Sequence, residues 1–96
     1  MDEMMKAISR YPNGTFLIVS WRFGKLIVEG FIDTIYEANN DLDEESEEYF
    51  ACAFQIESVV QNSEDIDLKQ GQLIEISKCN KPTSVRLKDG TTIWEC

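Results

Sequence analysis

The sequence predicts a mainly β (α+β) protein: a short N-terminal helix followed by five or six antiparallel strands, forming an SH3- or OB-like small barrel or a strongly curved sheet. Three observations predict it. Most of the chain consists of short runs that are β-branched, aromatic or alternate with a period of two. The dipeptides Asn13-Gly14 and Asp89-Gly90 stand between such runs, where tight turns are needed. Ninety-six residues, 43% of them hydrophobic, suffice for one modest core, so residues 1–96 are expected to form a single domain whose strands must curl to cover it.

Residues 2–10 place Met4, Met5 and Ile8 at helical spacing, with acids at the start and Arg10 at the end, as the helix dipole prefers. Tyr11-Pro12-Asn13-Gly14 stops that helix. Thr15 to Phe23 (TFLIVSWRF) reads as the first strand, and Gly24-Lys25 as a tight hairpin turn. Leu26 to about Ala38 alternates as the second strand. Leu26, Val28, Gly30, Ile32, Thr34 and Tyr36 are expected on one face, and Glu29, Phe31, Asp33, Ile35 and Glu37 on the other. A strand that long is expected to bend, and Gly30 is the place for it. After the polar run 39–48, residues 49–60 resume a strand with Phe50, Cys52, Phe54 and Ile56 sharing a face. A polar connection over 61–71 leads to a short strand at Leu73–Ile76. Thr83–Leu87 and Thr91–Trp94 flank Lys88-Asp89-Gly90 as a hairpin.

Charge is distributed unevenly along this scaffold. Between Lys25 and Lys69 there is no basic residue but there are thirteen carboxylates, while the flanks carry nine Lys and Arg against five carboxylates. A net charge of -9 concentrated in the middle repels nucleic acid and attracts basic protein surfaces. The composition is too apolar for a disordered acidic tail. No apolar run approaches the roughly 20 residues needed to span a bilayer, and the start lacks the basic and apolar segments of a signal peptide. A cytoplasmic protein is expected.

Catalytic and metal chemistry find little support. Three cysteines without CxxC and with no histidine cannot complete a four-ligand zinc site without a carboxylate; Cys52, in an apolar run, reads as a small core residue. Asp41, Asp43 and Glu45 alternate like the start of a calcium loop, but Ser46 stands where glycine is required and Cys52 where a bidentate Glu belongs. Histidine, G-x-S-x-G, P-loop and dinucleotide signatures are absent, so no enzyme, cofactor or metal is expected. Trp21, Arg22, Phe23 and Lys25, with Lys78, Lys81, Arg86 and Lys88, are the only set suited to RNA or single-stranded DNA, and the overall charge opposes that use.

Tyr11–Glu37 (YPNGTFLIVSWRFGKLIVEGFIDTIYE), followed by the acidic run and YFACAFQIE, resembles small acidic proteins of Gram-positive mobile elements, among them type II-A anti-CRISPR proteins. The likeness covers about the first 60 residues and transfers no individual residue role. It implies an inhibitor of an RNA-guided nuclease, acting by occlusion of a nucleic-acid channel or a block of guide loading. On the residues themselves, Glu29, Asp33 and Glu37 recur every fourth position, roughly 13 Å apart along a strand, and the acidic run follows directly. The expected contact set for a basic protein partner is Glu29, Asp33, Glu37, Asp41, Asp43, Glu44, Glu45, Glu47 and Glu48, with Phe31 and Tyr49 as apolar anchors. The alternative is a small-barrel adaptor or regulatory module that binds a protein or peptide through exposed aromatics, Trp21 and Trp94, its acids serving solubility.

Overall fold

The computed structural model describes residues 2–39 and 48–96. Asp2 caps the first helix, its Oδ1 accepting the Met5 N–H at 2.8 Å, and α1 (Glu3–Ser9) buries Met4, Met5 and Ile8. Six strands follow: β1 (Phe16–Trp21), β2 (Leu26–Asn39), β3 (Glu48–Asn62), β4 (Leu73–Ile76), β5 (Ser84–Leu87) and β6 (Thr92–Glu95). All pairings are antiparallel and the sheet order is β4-β3-β2-β1-β5-β6. The two end strands do not pair, so the barrel is left open. Helix α1 nevertheless touches both β3 and β6, which three strands separate in the sheet. The sheet therefore rolls around its apolar face and the helix fills the seam.

That apolar face carries Leu17, Val19 and Trp21 of β1, Leu26, Val28 and Ile32 of β2, Cys52, Phe54 and Ile56 of β3, Ile76 of β4 and Val85 of β5, joined by the three helix residues. Ile66 and Leu68, from the connection between β3 and β4, pack against the same core. The Asn62 side chain ties that connection down, donating to the Ile66 carbonyl and accepting the Ile66 N–H. At the β5–β6 hairpin, Asp89 accepts the Thr91 N–H and Gly90 takes φ +93°, the turn chemistry expected from Asp-Gly.

Three details depart from expectation. The β1–β2 connection is longer than a Gly24-Lys25 turn: Arg22–Gly24 form a 3-10 turn in which Arg22, Phe23 and Gly24 all have positive φ. Gly30 is needed for close approach, since a Cβ there would lie 2.0 Å from the Gln55 carbonyl oxygen. Three bulges interrupt β2–β3 pairing, at Asp33 on β2 and at Glu57 and Val60 on β3. The bulge at Asp33 corrects the expected alternation. Thr34 pairs with Ala53 and Tyr36 with Ala51, whereas Ile35 pairs with buried Cys52 and Glu37 with Phe50. Ile35 thus turns to the core side and Tyr36 to the outer side, the reverse of the period-two reading.

Candidate functional site

Beyond Ile32, β2 loses β1 as a neighbour, because β1 pairs only with Leu26–Phe31 of β2. From there β2 and β3 continue together as a two-stranded arm, Thr34 to Asn39 paired with Glu48 to Ala53. The arm exists because both strands hold apolar residues at alternate positions well past the end of β1. The chain before β1 turns off at Pro12–Gly14, with the Thr15 N–H bonding the Pro12 carbonyl at 3.2 Å.

The expected contact residues do not form one row. Glu29 and Phe31 lie on the outer face of the body of the sheet, Glu29 accepting from Ser58 Oγ at 3.1 Å and Phe31 meeting Phe16 edge to face at 5.5 Å. Asp33 sits on the bulge, exposed. Glu37, also exposed, is carried by that bulge to the face of the sheet opposite the one that bears Glu29 and Phe31. Glu48 opens β3, opposite Asn39. Asp41, Asp43, Glu44, Glu45 and Glu47 lie outside the described residues. A single ruler of carboxylates along β2 is therefore not what this fold presents, because one inserted residue inverts every position after it.

The outer face of the arm instead assembles a group that the sequence did not reveal. Tyr36 donates to Glu75 Oε1 at 3.2 Å, and Ser77 Oγ donates to Glu75 Oε2 at 2.5 Å. Tyr49 hydrogen-bonds with the Cys79 thiol, and Lys78 Nζ lies 5.6 Å from the centre of the Tyr49 ring. Burial and then the Glu75 charge push the Tyr36 hydroxyl above its ordinary value; the Cys79 hydrogen bond, then burial, does the same for Tyr49. Both phenols therefore stay neutral donors. Their partners come from β4 and the turn after it, far along the chain. A count along β2 carries no sign of the extra residue at Asp33, so the sequence alone does not bring these groups together.

The aromatics expected to be exposed are otherwise placed. Trp21 is 6% exposed and donates through Nε1 to the Asn80 carbonyl at 3.2 Å, while Trp94 is half-buried under Lys81. Both serve packing. Among the described residues the most exposed aromatic is Phe23, 88% accessible on a turn whose backbone is held at φ +57° and whose N–H is taken by Thr83 Oγ1 at 2.9 Å. A bulky residue in that region costs of order 1–3 kcal/mol. Beneath this end of the sheet, Trp21, Leu26, Ile66, Leu68 and Ile74 line a cavity of about 300 Å³, with Arg22 at its mouth bonded to Glu64 at 2.6 Å.

No helix among the described residues is long and apolar enough to cross a membrane. No curated protein and no solved structure matches the chain. The model of one family, described as cognate immunity protein YxxD, matches residues 1–96. An immunity protein answers to a toxin, which overturns the expectation of an anti-CRISPR inhibitor acting on an RNA-guided nuclease; the match lends nothing to imitation of nucleic acid or to a mobile-element setting. By a match that runs the length of the chain, this protein belongs to the cognate immunity protein YxxD family.

Proposed function

We propose that this chain neutralises its cognate toxin by binding it as a stoichiometric protein partner, without catalysing a reaction. The family match over the whole chain carries the reading. The contact surface is the β2–β3 arm, where Tyr36 and Tyr49 offer rigid amphipathic rings of the kind that dominate binding energy, with Phe31 nearby on the body of the sheet. Glu29 lies on the outer face of the same sheet and exposed Asp33 on the bulge, and in sequence the acidic residues 41–47 lie between the two strands. Such a surface suits a basic face on the toxin, whose approach the negative field accelerates.

The test is titration of purified toxin with wild-type protein and with the Tyr36→Ala, Tyr49→Ala double variant. Each truncated anchor is expected to cost about 2 kcal/mol of binding, so affinity falls at least a hundredfold while the melting temperature stays close to wild type. Association of the wild type is expected to slow as salt rises through the physiological range. Unchanged affinity in a folded double variant would remove the arm as the contact surface.

Phe23 supports a second placement of the contact, at the opposite end of β2. Its exposure and its positive φ are the combination expected of an anchor held out for a partner. If Phe23→Ala abolishes neutralisation and the tyrosine variant does not, the contact lies at that end of the sheet.

A further inference from the structure

The cavity beneath Trp21 is built from segments far apart in the chain. Its wall is apolar: buried Trp21 and Leu26 from the facing ends of β1 and β2, half-buried Ile74 from β4, and half-buried Ile66 and Leu68 from the β3–β4 connection. Along that connection Ile66 and Leu68 alternate with exposed Asp65 and Asp67, so the acids face solvent and the apolar residues face in. The connection is tied down at both ends. The Ser63 N–H bonds the Lys25 carbonyl at 2.8 Å and Asn62 holds Ile66, while further on the Lys69 N–H bonds Gln72 Oε1 at 3.1 Å. The wall is therefore preformed, as ligand pockets usually are.

Most polar atoms around the cavity are committed. Trp21 Nε1 donates to the Asn80 carbonyl, Asn80 Nδ2 donates to the Glu75 carbonyl, and the Cys79 thiol is engaged by Tyr49. Lys81 holds its ammonium 5.4 Å from the centre of the Trp94 ring. Arg22 is different. Glu64 takes its Nη1 at 2.6 Å, and Nε and Nη2 have no partner among the described residues. Among the described residues no carboxylate belongs to the lining. Arg22, Phe23 and Asp65 are also the three described non-glycine residues with positive φ, and all three sit on the two segments that form this mouth. Backbone of that kind gathers at ligand clamps.

We propose that the cavity binds a small amphipathic carboxylic acid, its apolar part against Trp21 and Ile66 and its carboxylate on Arg22. Size sets the apolar part. A cavity of about 150 Å³ accepts one benzene ring, so about 300 Å³ has room for two fused rings or a chain of about eight carbons. Charge and geometry set the head group: a guanidinium presents paired N–H donors that match a carboxylate, and one acid already rests on it. The proposal stands apart from the toxin-binding reading, and its test needs no toxin to succeed.

Octanoate and octanol carry the same chain with and without the carboxylate. Each is titrated into isotope-labelled wild-type protein and followed by NMR, so the first readout does not depend on a variant folding. Octanoate is expected to shift the Trp21 indole N–H and the Ile66 and Leu68 methyl signals saturably and to leave the Trp94 indole in place. Octanol is expected to bind about tenfold more weakly. Arg22→Gln should lower octanoate affinity about tenfold, level with octanol, whereas Glu64→Gln should raise it two- to fivefold by freeing Nη1. If octanol binds as tightly as octanoate, or Arg22→Gln leaves octanoate binding unchanged, the carboxylate assignment is wrong and the proposal is overturned. The same holds if octanoate leaves Trp21 and Ile66 unmoved or shifts Trp94 equally. If purified toxin moves the Trp21 indole and octanoate does not, a toxin side chain is the occupant and the proposal is again overturned.

Discussion

Replacing Gly30 by alanine tests the central joint of the molecule. The new Cβ would lie 2.0 Å from the Gln55 carbonyl oxygen and 3.0 Å from the Phe54 ring, whereas real Cβ atoms essentially never come within 3.0 Å of a neighbour. Backbone lies on one side and a fully buried ring on the other, so no flexible side chain can swing aside. β2 and β3 must part locally by about 1 Å, which stretches an N–H···O distance of about 2.9 Å to nearly 4 Å and breaks it. Two such bonds at about 1 kcal/mol each, with overpacking of the Phe54 site at 1–3 kcal/mol, give a loss of about 3–5 kcal/mol. A domain of this size holds roughly 5–15 kcal/mol in total, so the variant should be badly weakened and melt more than 10 °C lower. Gly14→Ala is the control: its Cβ meets open space, and only the positive φ is strained, at about 1–2 kcal/mol. Urea unfolding followed by the fluorescence of Trp21 and Trp94 gives both values. A Gly30→Ala protein within 1 kcal/mol of wild type, or less affected than Gly14→Ala, would refute the close-approach account.

Four further outcomes follow from the same geometry. Phe23→Gly relieves the positive φ and should raise stability by about 1 kcal/mol in the same denaturation assay, since the ring it removes packs on little. Asp2→Ala deletes the helix cap and should cost about 1 kcal/mol, read as a loss of stability with the sheet intact by circular dichroism. Burial, with the Asp33 charge as a lesser cause, pushes the Cys52 thiol up to about 12 from an ordinary 9.0. Its folded value is the raised one, so its contribution is complete below pH 9 and is lost between about pH 9 and 12, at about 1 kcal/mol per unit; a Cys52→Ala series across that range should show a shallower decline. Under native conditions iodoacetamide should modify exposed Cys79 and Cys96 and spare Cys52, as peptide mass mapping would record.

Much of the architecture was legible because local pattern and tertiary demand agree. Met4, Met5 and Ile8 show a helical stripe, and it is the stripe the core uses. Phe50, Cys52, Phe54 and Ile56 alternate on β3, and no bulge falls between them, so their shared face survives folding. Asp89-Gly90 marks a hairpin because few other residues tolerate that turn. β2 went wrong at one residue. Period-two counting has no means of registering an inserted position, and after Asp33 every side chain is inverted. The aromatics misled for a related reason: Trp21 and Phe23 are two residues apart and would share a face in a regular strand, but β1 stops at Trp21 and the positive-φ turn throws Phe23 outward.

Composition and local pattern alone determined a small single-core β protein with a short leading helix and a pronounced negative charge, because helical and strand periods, turn chemistry and net charge are properties of neighbouring residues. Which side chains meet was decided by the tertiary structure. The pairing register and the bulge at Asp33 placed Tyr36 beside Glu75, set Tyr49 against Cys79 and Lys78, and turned Ile35 toward the core. Those relations depend on strands many residues apart being held a single ladder spacing from one another, and no count along one strand contains that distance.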